Sequence, residues 1–174
     1  ESVQKSLIAG LWGLLFVALF MILFYRFPGF LSVLALLVYT TLAMVIFKLF
    51  SITLTLAGIA GFILSIGMAV DANVLIFERL KEELKAGRDL GKAFDEGFRR
   101  AWSSIRDSNI SSLITCAILF WFGSSIIRGF ALTLAIGIFV SMFSAVVISR
   151  QFLRLIGKWK ICQHPWLYGV SKKK

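Results

Sequence analysis

The sequence predicts an all-α membrane protein of five transmembrane helices, with short amphipathic helices at one membrane face. Three observations carry this reading. Hydrophobic residues fill 59% of 174 positions, at a mean hydropathy of +0.87. Charged residues make up only 16%, where a soluble domain of this length needs roughly 25% to cover its surface. The apolar residues also gather into five runs, each close to the roughly 20 residues that a bilayer core asks of a helix.

In chain order the runs are 6–25, 30–47, 52–77, 109–127 and 130–149. The first stops at Arg26-Phe27-Pro28-Gly29. It lacks a small-x-small cleavage site and further spans follow, so it reads as a membrane helix and not as a signal peptide. The second stops at Lys48. The third, 26 residues long, has length enough to tilt or to pass the interface. The fifth is closed by Arg150. These spans and their connections make one transmembrane domain, 1–150, followed by a basic tail, 151–174.

The connection 78–108 is not a plain linker. Leu80 and Leu84 are four apart, as are Leu90, Phe94, Phe98 and Trp102, with charges between them. Gly87 breaks the pattern and Asp89 is placed to cap a second helix. Two short amphipathic helices at the inner interface are expected, resting on lipid or on the inner ends of the neighbouring spans. The eight basic and seven acidic residues of this segment pair readily along helix faces.

Charge placement orients the chain. With 78–108 and 150–174 inside, 16 Lys and Arg residues lie inside and three (Lys5, Lys48, Arg128) outside, as the positive-inside rule requires. The N-terminus is then outside and the C-terminus cytoplasmic. A chain beginning outside at Glu1 is expected to be the C-terminal part of a longer protein. The net charge of +10 does not indicate nucleic-acid binding, because nearly all of it flanks membrane spans. Cys116, Cys162 and the single His164 share no metal-ligand spacing. No Ser-His, Cys-His or paired-carboxylate constellation suggests an enzyme, and no cofactor is called for.

Small and polar residues single out the last three spans. Ala57, Gly61, Ser65 and Ala69 recur every four positions in the third, with Gly58 and Ala72 close by. Thr133, Gly137, Ser141, Ala145 and Ser149 repeat the device in the fifth. Such rows let helices approach closely, and they are expected to receive a partner chain. Spans one and two, plain Leu, Phe and Val, are expected on the lipid side.

Asp71 lies seven residues before Glu78, roughly 10 Å inside the boundary. Helical spacing places it beside the small row, on the side of Ala60, Leu64 and Gly67, with Asn73 on the far face. A membrane-embedded carboxylate is costly and favours its neutral form. It fits a proton relay whose exposure to water alternates, a structural hydrogen bond between helices, or ion binding. No Lys or Arg lies at that depth in spans two to five, so a cationic partner would come from another chain. At the inner end of span four, Asp107, Ser111 and Thr115 form a polar row beside Asn109, Ser112 and Cys116. Asp-Ser-Asn suits a helix N-cap, and the row also suits a share in a proton path.

These residues resemble a known family. GMAVDANVLIFERLKEEL (67–84), AF-x-x-GF-x-RA (93–101), RDSNISSLIT (106–115) and FALTLAIGIFVSMFSA (130–145) are similar to the C-terminal membrane half of the SecD family of protein-export subunits. That family belongs to the resistance–nodulation–division superfamily. The resemblance extends from LIAGLWGLLFVALFMILFYRFPG (7–29) to about Arg150. It implies a six-span protein of the bacterial inner membrane, of which spans two to six are present here. It also implies pairing with SecF, work with the SecYEG channel and the small subunit YajC, and use of proton-motive force on secreted preproteins. The family's proton-path aspartate matches Asp71, and its Asp-x-Asn matches Asp107 and Asn109. The chain departs from the family with Ser111-Ser112 in place of Thr-Thr, Ala57 in place of Pro, and Gly123-Ser124-Ser125-Ile126 in place of Gly-Thr-Gly-Pro. Competing readings are half of a proton-coupled small-molecule or lipid exporter of the same superfamily, and a scaffold in which Asp71 is replaceable.

Overall fold

The computed structural model describes residues 2–149, all of them in helices or the short connections between them. The basic tail 151–174 lies outside the described residues. Four α-helices follow in order: α1 (Ser2–Leu49), α2 (Leu56–Lys85), α3 (Leu90–Phe122) and α4 (Ser125–Ser144), the last continued by a π turn, Ala145–Ser149.

α1 holds the first two predicted spans, and its axis reverses between them. Gly10 lies against Ile63 and Tyr25 against Phe77, so the first limb runs parallel to α2. Tyr39 meets Ser65 and Phe47 meets Phe62 edge-on, so the second limb runs antiparallel to it. The reversal falls at Pro28-Gly29, where the Gly29 backbone touches the Met21 carbonyl and a Cβ would collide with it. A straight helix would hold those two residues about 12 Å apart. The first limb is largely exposed, as expected of a lipid-facing span. The second is not: Leu36, Tyr39, Ala43 and Phe47 are buried against α2 and α4.

α2 starts at Leu56, four residues later than the apolar run. Thr55 caps it, its hydroxyl accepting from Gly58 N at 3.1 Å, while Ile52 and Leu54 pack beside Phe47 and Phe62. α2 then continues without a break to Lys85, and α3 begins at Leu90 and runs unbroken to Phe122. The two amphipathic stretches are therefore the inner ends of long helices, not separate surface helices. Nothing interrupts them because no Gly or Pro stands between Val70 and Lys85 or between Phe98 and Phe122. The turn between them uses Gly87 at φ +81°, a conformation that favours glycine. Leu80 and Phe94 belong to the core here, not to a lipid-facing surface.

Among the described residues four helical segments have the length and apolarity to cross a membrane: Gln4–Tyr25, Pro28–Leu49, Leu56–Lys85 and Ser125–Val147. The crossing expected at 109–127 falls short of that measure. Asp107, Asn109, Ser111, Ser112 and Thr115 dilute it, α3 stops at Phe122, and α4 already starts at Ser125. α3 nonetheless packs along both α2 and α4.

The centre of the molecule is the parallel contact of α2 with α4. Gly58 and Gly61 face Gly129–Thr133, and Ser65 faces Gly137. A Cβ on Gly61 would stand 2.6 Å from Phe130 O and from Thr133 Oγ1. The Thr133 hydroxyl donates to Gly58 O at 2.9 Å, a bond between helices that needs this close approach. The small rows thus meet each other inside the chain and do not wait for a partner. Beside them Ser65 donates to Phe62 O (2.6 Å) and accepts from Tyr39 (2.7 Å), which fastens α1 to the same seam.

Two expectations follow for unfolding of the full-length protein in detergent. Gly137→Ala places a methyl group onto Ser65 and is expected to cost about 1–3 kcal/mol, whereas Gly13→Ala, with nothing within 4 Å, should stay within about 0.5 kcal/mol. Tyr39→Phe removes one membrane hydrogen bond and should cost roughly 0.6–1.7 kcal/mol; equal stability of Gly137→Ala and Gly13→Ala would contradict the α2–α4 contact.

Candidate functional site

The rotation of α2 about its own axis places Asp71. Gly58, Gly61, Ser65, Ala69 and Ala72 are buried toward α4 and the rest of the bundle. Ala60, Leu64, Gly67 and Asp71 are exposed on the outer side of α2. Their 4-3-4 spacing is that of a seam able to receive one more helix. Gly67 is bare, with no atom within 4 Å of where a Cβ would stand. It is thus not a packing residue within this chain, unlike Gly58, Gly61, Ser65, Gly137 and Ser141, which are buried.

Asp71 sits at the inner end of this seam. No hydrogen bond or ion pair joins its carboxylate to another described residue. Asn73, two residues on, is buried in the bundle at 5% exposure, on the opposite face as helical spacing requires. Asp71 and Asn73 therefore serve different surroundings although the motif joins them.

The second polar group divides in the same way. Asp107, Ser111 and Thr115 are exposed along one face of α3, while Asn109 is buried toward the bundle. Asp107 is not a helix cap. It lies in the interior of α3, whose N-cap position is Asp89, and Asp89 itself makes no side-chain capping bond. The Asp107 carboxylate instead pairs with Arg106, at 3.0 Å from Nη2 and 3.1 Å from Nε. The hydroxyls of Ser112 and Thr115 turn back to the carbonyls of Ser108 and Ser111.

The inner junction of α2 and α3 holds what sequence reading missed. Ala93, Gly97, Ala101 and Ile105 are buried along α3, and the Gly97 backbone lies against Leu80, where a Cβ would stand 2.9 Å from Leu80 N. Glu83 is the one charged side chain buried among the described residues, at 4% exposure. Arg100 Nη1 binds its Oε1 at 2.7 Å and Arg88 Nε binds its Oε2 at 3.1 Å. The hydrogen bond to Glu83 holds Arg100 above the ordinary arginine range. The available signal was the four-residue spacing of Ala93, Gly97 and Ala101, which repeats the small rows of α2 and α4.

Residues 1–159 match the family described as protein export membrane protein SecD/SecF, C-terminal. The chain is 60% identical over 99% of its length to the protein translocase subunit SecD of Thermobaculum terrenum, and 55% identical over 97% to that of Synechocystis. It covers 34% and 36% of those proteins, about a third of their length. A crystal structure of SecDF, a translocon-associated membrane protein from Thermus thermophilus, superposes with a TM-score of 0.86 at 41% identity, over 88% of this chain and 22% of that one. A second, in the super-membrane-facing form, gives 0.84 at 41% identity, over 90% and 21%. The chain belongs to the SecD/SecF family of protein-export membrane proteins, and corresponds to their C-terminal membrane region.

Proposed function

We propose that this chain is the membrane-embedded, proton-driven part of a SecD-type export subunit, and that Asp71 is its proton-relay residue. One observation carries the reading: Asp71 stands inside the apolar α2 helix on its exposed seam, with no cation among the described residues paired to it. A carboxylate left there in lipid would be costly, so the seam is occupied in the working protein by another helix or by water. Ala60 and Gly67 let a helix come close, and SecF, supported by the SecD/SecF family match and the likeness to SecDF, is the partner assigned to it.

On this reading Asp71 takes up a proton from outside, becomes neutral and relaxes its demand for a polar partner. It gives the proton up inside after the seam rearranges. Asp107, Ser111 and Thr115 supply polar groups on the inner leg, and Asn109 holds α3 to the bundle. The names of the relatives support protein translocation as the work done. The secreted preproteins, the SecYEG channel and YajC follow from the family as partners. The Lys and Arg asymmetry supports a cytoplasmic C-terminus, and the cytoplasmic membrane follows from the family as its location.

The test separates titration from structure. Asp71→Asn, nearly equal in size, is expected to leave insertion, abundance and pairing with SecF unchanged and to abolish the stimulation of export by an imposed proton gradient. Full gradient stimulation in this variant at wild-type abundance would refute the relay.

A further inference from the structure

We propose that Glu83 is a positioning residue, locking the register of α3 on α2 so that the two helices move as one rigid arm during the export cycle; this rests on the relay reading of Asp71. The groups involved are all at the inner junction. One carboxylate oxygen takes Arg100 from α3, the other takes Arg88 from the turn, and the Arg88 amide donates to Glu83 O at 3.3 Å. Glu83 thereby grips both helices and their connection at once. Two residues of small side chain, Ala93 and Gly97, bring the α3 backbone against α2 on the same side.

A buried ion pair is weak evidence for stability, since apolar residues of similar volume often serve as well, but it can specify register. The small-residue contact narrows the choice, since a slip of one turn would bring the Cβ of Ala93 or Ala101 to where Gly97 meets Leu80 N. The charge pairs narrow it further, because the same slip carries Arg100 away from Glu83. Asp71 lies twelve residues up the unbroken α2 from Glu83, about 18 Å along the axis. Asp107 lies seven residues beyond Arg100 on the unbroken α3. Locking Glu83 to Arg100 therefore fixes the depth of the Asp107, Ser111, Thr115 row relative to Asp71, and a displacement of α2 carries the row with it.

The experiment uses the full-length protein with its partner, in membranes, bearing nitroxide labels at the exposed positions Lys85 and Ser104. Glu83→Leu is expected to fold, because the Arg88 and Arg100 side chains are already about half exposed (49% and 48%) and can turn to water. It should broaden the label distance and lower gradient-stimulated export by about threefold or more. Glu83→Arg alone should do the same, and joining it to both Arg88→Glu and Arg100→Glu should restore both readouts. A narrow distance or full stimulation in Glu83→Leu would overturn the lock, as would failure of the charge exchange to restore either. The label distance decides this even where Asp71→Asn keeps its gradient response, so the lock and the relay fail separately.

Discussion

The close parallel packing of α2 on α4 is the constraint from which the remaining geometry follows. Two helices come this near only where side chains are small, and here Gly58, Gly61 and Ser65 meet Thr133 and Gly137. The approach allows the Thr133 hydroxyl to reach across to Gly58 O, and it leaves room beside Ser65 for the Tyr39 hydroxyl. In a bilayer there is no hydrophobic force to press helices together, so van der Waals contact and such hydrogen bonds carry the association. Because one face of α2 is committed to α4, its rotation is fixed. Ala60, Leu64, Gly67 and Asp71 are turned outward as a consequence, and Asn73 inward.

The inner end of the molecule is held by a different device. There α2 and α3 are joined by Gly97 against Leu80 and by the Glu83 carboxylate between two arginines. Removing one partner of such a buried pair is costly because it strands a charge, but here both arginines keep a route to water. The two devices divide the work. The α2–α4 seam gives close contact from Gly58 to Ser65, and the Glu83 junction gives register at the inner end of α2. Between them lies the segment that carries Asp71, helical and unbroken from Leu56 to Lys85.

Most of the helical plan was legible in the sequence because apolar length is a direct requirement of the bilayer. The reversal at Pro28-Gly29 could be read from Arg26 and proline. The opposite facing of Asp71 and Asn73 followed from 100° per residue alone. What could not be read was which surface each small row would meet. A row of Gly, Ala and Ser states that a helix comes close without naming the helix, so a contact inside the chain and one with a partner look alike in sequence. Of the two roles that Asp107 suits, the cap is not formed for a related reason: Asp-Ser-Asn is a good helix start, but nothing before it breaks the helix, and α3 simply runs through. Glu83 was hidden among seven acidic residues between 78 and 108, since its burial comes from the crossing at Gly97 and not from its own neighbours.

The central claim is that α2 turns one face to α4 and the opposite seam to a second chain. Cysteine cross-linking along 57–71 of α2, in membranes holding the full-length protein with SecF and with the native cysteines replaced, tests it directly. Cysteines at Ala60, Leu64 and Gly67 are predicted to cross-link to SecF, and those at Gly61 and Ser65 only to α4 near Thr133 and Gly137. Cross-links to SecF from Gly61 and Ser65, with none from Ala60, Leu64 or Gly67, would contradict the assignment of the two faces and with it the placement of Asp71.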